Sequence, residues 1–174
     1  MNEYPYMFSY KTEYLMGNAK QFTHKMDYNY IIRQTEQALV ETHYPLSVLL
    51  IGDRLPGCYA ALGEYFQRYP SLTVWKAQNQ EESMLALAQE PQFVIFVGYL
   101  KEESIYTLVR QTQQNRNRLQ TVLFASEDDC TRQIRQEQKI DFLYDRREPV
   151  SGLITLMLQA VKDTYTPSIK SFGA

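Results

Sequence analysis

The chain has 174 residues, 44% hydrophobic and 22% charged, with a formal net charge of −2. That length suits one domain with an appendage, and the apolar content is ample for a core. The charge balance excludes a global basic field that would draw the protein onto nucleic acid or anionic lipid. No run approaches the ~18 apolar residues of a membrane span. Glu3, Tyr4 and Pro5 stand where a signal peptide would carry basic and then apolar residues, so an unexported, cytoplasmic protein is expected. Cys58 and Cys130 show neither CxxC nor Cys/His ligand spacing, which points to reduced structural thiols rather than a metal site or disulfide framework.

Residues 1–44 read as a tyrosine-rich N-terminal extension containing one helix (Tyr4, Tyr6, Tyr10, Tyr14, Tyr28, Tyr30, Tyr44). Within it, Tyr28 to His43 has helical spacing, with Asp27 at the cap and Ile31, Ile32, Thr35, Ala38, Leu39 and Thr42 along one face. Such a helix docks either on the domain or on a partner. From Pro45 the pattern changes to a regular alternation. Ser47 to Ile51 predicts a strand, Gly57 to Arg68 a helix, Leu72 to Lys76 a strand and Glu81 to Gln89 a helix. Strand Phe93 to Val97, helix Glu102 to Gln113, strand Thr121 to Ala125, helix Asp128 to Gln138, strand Ile140 to Tyr144 and helix Pro149 to Asp163 complete five βα units.

Pro149 fits a first helical turn, where its missing N–H costs nothing, and Glu148, Asp128 and Asp129 favour positive helix ends. Residues 164–174 have no periodicity and read as a tail or linker. Short connections and crossover helices demand parallel pairing with right-handed crossovers. The expected fold is therefore α/β, a doubly wound five-stranded parallel sheet of order 2-1-3-4-5, flavodoxin-like, with an N-terminal helical extension.

In open α/β sheets the chemistry collects beyond the carboxyl ends of the strands. Here the first central strand ends in Gly52-Asp53 and the third in Val97. Element order, spacing and strand texture over residues 45–163 resemble the receiver domain of two-component response regulators. In that family an acidic pair follows the first strand, a phosphoacceptor aspartate ends the third, a Thr or Ser ends the fourth and a lysine ends the fifth. By position these become Gly52 with Asp53, Val97, Ser126 and Asp145, and an aromatic switch position resembles Phe142.

The chemistry does not survive this mapping. Acyl-phosphate transfer needs a carboxylate nucleophile, a divalent ion held by several oxygens and a cation for the transferred group. Valine is no nucleophile, a single Asp53 is a poor magnesium site, and Asp145 brings negative charge where positive is needed. A slip of one or two residues would bring Arg146 or Arg147 toward the pocket, whereas no slip within Phe93 to Leu100 supplies an acid.

Plain structural readings compete at each position. Asp53 can be a loop or capping carboxylate, Ser126 a helix cap, Phe142 core, and Gly52 and Gly98 mere backbone room. Tyr99 is placed to fill the vacant pocket with its ring.

Two surfaces are candidates for contact. The resemblance points to the face of the fourth helix, fifth strand and fifth helix of the alternation, carrying Arg132, Arg135, Gln136, Asp145, Arg146, Arg147 and Glu148. Mixed charge of this kind suits an isologous interface, and otherwise is a solvated face. The tyrosine-rich extension is the second, since aromatic side chains with polar tips are enriched at interfaces.

The expectation is a non-enzymatic, phosphorylation-independent pseudo-receiver: a signalling module working by protein–protein contact as a homodimer. It would need no cofactor or metal and would bind neither nucleic acid nor membrane directly. One alternative is the regulatory part of a LuxR-type transcription factor whose helix-turn-helix lies outside this chain. Another is a small-molecule or nucleotide-binding flavodoxin-like domain, although no GxGxxG, GxxxxGK or acid/base pair supports it.

Overall fold

The runs richest in bulky apolar side chains, β1 (Leu46–Gly52) and β3 (Phe93–Val97), lie side by side at the centre of a sheet, almost wholly buried. Buried on both faces, they read as continuous apolar segments rather than alternating ones. The computed structural model describes residues 24–41, 46–52, 57–116 and 118–165. Flanking the centre are β2 (Leu72–Ala77), β4 (Gln120–Ala125) and β5 (Phe142–Asp145), all pairings being parallel in the order β2-β1-β3-β4-β5. The expected topology is the observed one.

Two helical layers sandwich the sheet. Leu46, Val48, Leu50, Phe93, Ile95, Val97, Val122 and Phe124 face α2 (Gly57–Phe66) and α6 (Val150–Tyr165). Leu49, Ile51, Val94, Phe96 and Leu123 face α3 (Gln80–Leu87) and α4 (Glu103–Asn115). Ile134 of α5 (Asp129–Glu137) packs against this second layer as well. The period-2 alternation of strand side chains sorts these residues between the layers.

The extension contributes α1 (His24–Glu41), which docks on this domain. Leu39 joins the α2/α6 layer, Ile32 packs against it, and Glu36 accepts a hydrogen bond from the Ser71 N–H at 3.1 Å. Because α1 begins at His24, Asp27 lies inside the helix and does not cap it. Ala38 is exposed, so the docked face runs through Ile31, Ile32, Thr35 and Leu39; Thr42 lies outside the described residues.

At the amino ends of the strands, side chains stitch the sheet together. Ser47 N–H donates to Gln92 Oε1 and Gln92 N–H to Ser47 Oγ, both at 3.1 Å. Thr121 N–H and its hydroxyl donate to Asp141 Oδ2 at 2.8 and 3.0 Å, while Asp141 N–H donates to Thr121 Oγ1 at 2.9 Å. That last bond takes the donor a ladder would use. Pairing of β5 therefore starts at Phe142, two residues later than the apolar run from Ile140 predicts.

Candidate functional site

The carboxyl ends of β1, β3, β4 and β5 converge in register, with Gly52 beside Val97, Val97 beside Phe124, and Ala125 beside Asp145. Val97 is 2% exposed, its side chain sealed in the α2/α6 layer. No carboxylate is presented at that strand end. Asp53 lies outside the described residues.

Gly52 has a steric role that the sequence did not disclose. A Cβ built there would fall 2.5 Å from Tyr59 Cδ1, with Tyr59 Cγ at 3.1 Å and Cβ at 3.2 Å. The Tyr59 ring, delivered by the first turn of α2 and 6% exposed, thus occupies the space an acidic side chain at position 52 would need. Burial pushes its phenol up to about 12, with the Glu82 charge adding and a hydrogen bond from the Ala77 backbone opposing. A glycine at a strand end was the available signal; the ring was not foreseeable.

The fifth strand supplies the largest departure from expectation. Asp145 ends β5 as mapped, but its carboxylate turns to Arg147, at 2.7 Å from Nη2 and 3.0 Å from Nε. The Arg147 side chain is the main reason its pKa falls below the usual carboxylate range; partial desolvation opposes, and the Arg147 and Glu127 backbones assist. The residue aimed across the strand ends is instead Arg146. Its Nε donates to Ser126 Oγ at 2.9 Å, its Nη1 to Cys58 Sγ at 3.4 Å, and its backbone N–H to Ala125 O at 3.0 Å. A cation, Arg146, therefore reaches across the described strand ends, while the Asp145 anion is taken up by Arg147.

Ser126 is not the cap of α5. That role belongs to Asp128, which accepts from Thr131 N–H at 2.8 Å while Thr131 Oγ1 accepts from Asp128 N–H, a reciprocal capping box. The Asp128 pKa is lowered, chiefly by the Thr131 N–H. Ser126 faces the strand ends with its hydroxyl and accepts from Thr131 Oγ1 with its carbonyl at 2.8 Å.

Tyr99 does not fill the pocket. Gly98, at φ +78, turns the chain out of β3 in the left-handed region that favours glycine, and Tyr99 emerges 46% exposed. Its phenol is pushed up to about 12 by partial desolvation, a hydrogen bond with Cys130 and the Asp128 charge, with Arg146 pulling the other way. Phe142 is half-buried against the α2/α6 layer, as core. The neighbouring Tyr144 stacks on Phe124 at a centroid distance of 6.2 Å and donates its hydroxyl to Pro149 O.

The charges on the α5–β5–α6 face find partners within the chain. Arg132 meets Glu127 at 3.2 Å and Asp129 at 3.1 Å, and Arg135 donates to the Ile140 and Asp141 carbonyls. Gln136 and Glu148 are exposed, and the Glu148 N–H donates to Asp145 O. Elsewhere, a groove of about 320 Å³ between β2 and α3 is lined by Trp75, Lys76, Glu82, Leu85, Ala86 and Gln89. Both cysteines are free, Cys58 buried and Cys130 exposed. Among the described residues no cluster of three His, Cys, Asp or Glu is placed to hold a metal ion, and no helix is long and apolar enough to cross a membrane.

No family model and no curated protein matches this chain. Solved structures do. A two-component response regulator from Clostridium difficile aligns with a TM-score of 0.55 at 13% identity, covering 69% of this chain and 98% of its own. The fold is receiver-like. Chemotaxis protein CheY4 from Vibrio cholerae aligns with a TM-score of 0.50 at 13% identity, covering 64% of this chain and 96% of its own. At such identities the likeness speaks for the receiver-like architecture alone, and the departures at Gly52, Val97, Asp145 and Arg146 belong to this chain.

Proposed function

We propose that this chain is a non-enzymatic regulatory module that uses a receiver-like fold without phosphorylation, acting through protein–protein contact as a homodimer. The observation that carries the proposal is the sealed end of β3, where Val97 lies in the core. Two further features agree with it: the Tyr59 ring stands where an acid at position 52 would reach, and Arg146 already covers Ser126. Phosphoryl transfer needs a carboxylate nucleophile and oxygens that hold a divalent ion, and the ends of β1 and β3 present Gly52 and Val97, whose side chains supply neither.

The contact surface in this reading is the α5–β5–α6 face with Arg132, Arg135, Arg147 and Glu148. Because its ion pairs are exposed and close within the chain, each contributes about 0–1 kcal/mol and can be re-paired across a two-fold axis. Acetyl phosphate or beryllofluoride with magnesium is expected to leave the near-UV spectrum and solution mass unchanged. A saturable, magnesium-dependent response refutes phosphorylation independence. Light scattering is expected to return twice the 20.5 kDa chain mass, reduced toward one chain by Arg132→Glu with Arg147→Glu. A monomer at every concentration refutes the homodimer.

A further inference from the structure

We infer that Arg146 is an internal latch: one side chain that fixes the β5–α6 turn, the β4–α5 turn and the start of α2 relative to one another, and through Ser126 sets the seat of α5. This holds whether or not the protein responds to phosphate, so it stands apart from the function proposed above.

Three observations converge on it. The guanidinium joins Ser126 and Cys58, which lie 20 and 88 residues away in sequence, so no local geometry of the turn accounts for its direction. Its backbone N–H extends the β4–β5 ladder by one bond to Ala125 O, which anchors the base of the side chain. Asp145 pairs with Arg147 at 2.7 Å and not with Arg146, whose side chain crosses to Ser126 instead. From Ser126 the connection continues into α5, because the Ser126 carbonyl accepts the Thr131 hydroxyl that also completes the Asp128 capping box. Arg146 is a positioning residue for the α5 surface, acting through Ser126.

The test uses the full chain and measures alkylation of Cys58 by N-ethylmaleimide, resolved from Cys130 by peptide mapping and normalised to a free cysteine in solution, alongside amide exchange. In Arg146→Ala the Cys58 labelling rate is expected to rise about five- to tenfold, the range of one or two exposed hydrogen bonds. Exchange is expected to quicken at residues 126–132 and 57–60 and not in β1 or β3. Arg146→Lys keeps the charge but not the two-armed reach, and falls between. Ser126→Ala, the milder variant if Arg146→Ala does not fold, is expected to quicken exchange in α5 alone. Labelling that stays within about twofold of wild type, or that rises only as much as the global unfolding constant, overturns the latch.

Discussion

Replacing Gly52 by alanine isolates the steric argument about the strand ends. The added methyl arrives 2.5 Å from Tyr59 Cδ1 and within 3.2 Å of Tyr59 Cγ and Cβ, so it meets the near end of the side chain, which cannot swing aside as a flexible tip would. Tyr59 is 6% exposed and packed in the α2/α6 layer, so relief requires α2 to shift. Overpacking of this kind costs about 1–3 kcal/mol. Gly52 does not have a positive φ, so the alanine backbone is unstrained and restricting the unfolded chain returns about 0.4–1 kcal/mol. The net expectation is a loss of roughly 0.5–2 kcal/mol, or about 2–8 °C in Tm for a domain of this size. Urea unfolding followed by far-UV circular dichroism, for Gly52→Ala, Tyr59→Ala and the double variant, measures it. In the double variant the methyl enters space the ring has left, so the two losses must not add. Additive losses, or a Gly52→Ala protein as stable as wild type, refute the claim that the ring holds the place of an acid.

Val97→Asp places a carboxyl where the side chain is 2% exposed. Burial raises such a pKa by up to about 3–5 units, which costs about 4 kcal/mol at neutral pH, a penalty that recedes as pH falls toward the unfolded value near 4. Urea midpoints should therefore move closer to wild type at pH 5 than at pH 7, and an equal deficit at both refutes the burial. For Asp145 the sign is reversed: its lowered pKa contributes stability above the unfolded carboxylate value that is lost as pH falls through the folded one. Asp145→Asn or Arg147→Ala should flatten the acid limb of the stability curve below about pH 4, and an unchanged limb refutes the pairing. Ultraviolet titration should show Tyr59 and Tyr99 ionising near 12, with Tyr99→Phe removing one late phenol. Since these phenols are raised, the stability they contribute is present below pH ~10 and lost as pH climbs through their folded values. Leu39→Ala should lower the melting temperature because Leu39 is 4% exposed at the α1 contact, and no change there places α1 outside the cooperative unit.

The sheet was legible because its information is written in short-range texture. Val48 to Ile51 and Phe93 to Val97 cannot be satisfied on a surface, and the helical runs between them leave parallel pairing as the one economical arrangement. The strand ends were less legible, since what decides them is one-residue detail. The fifth strand was read as ending at Tyr144 and β5 runs one residue further, to Asp145, whose pairing with Arg147 leaves a different residue, Arg146, reaching across to Ser126. Ser126 lost the cap to Asp128 through a D-x-x-T capping box, which the sequence contained. The start of β5 was misplaced because Ile140 is apolar and buried although its neighbour's N–H is taken by a threonine hydroxyl. Tyr59 over Gly52 is a tertiary contact with no local signature.

The stitching by Ser47, Gln92, Thr121 and Asp141 has a consequence for engineering. Those bonds tie neighbouring strands together at their amino ends, away from Gly52, Val97 and Asp145. Strand alignment therefore has an anchor that substitutions at the carboxyl ends leave untouched. A sheet sewn along that hem is one whose other hem can be recut with its register kept.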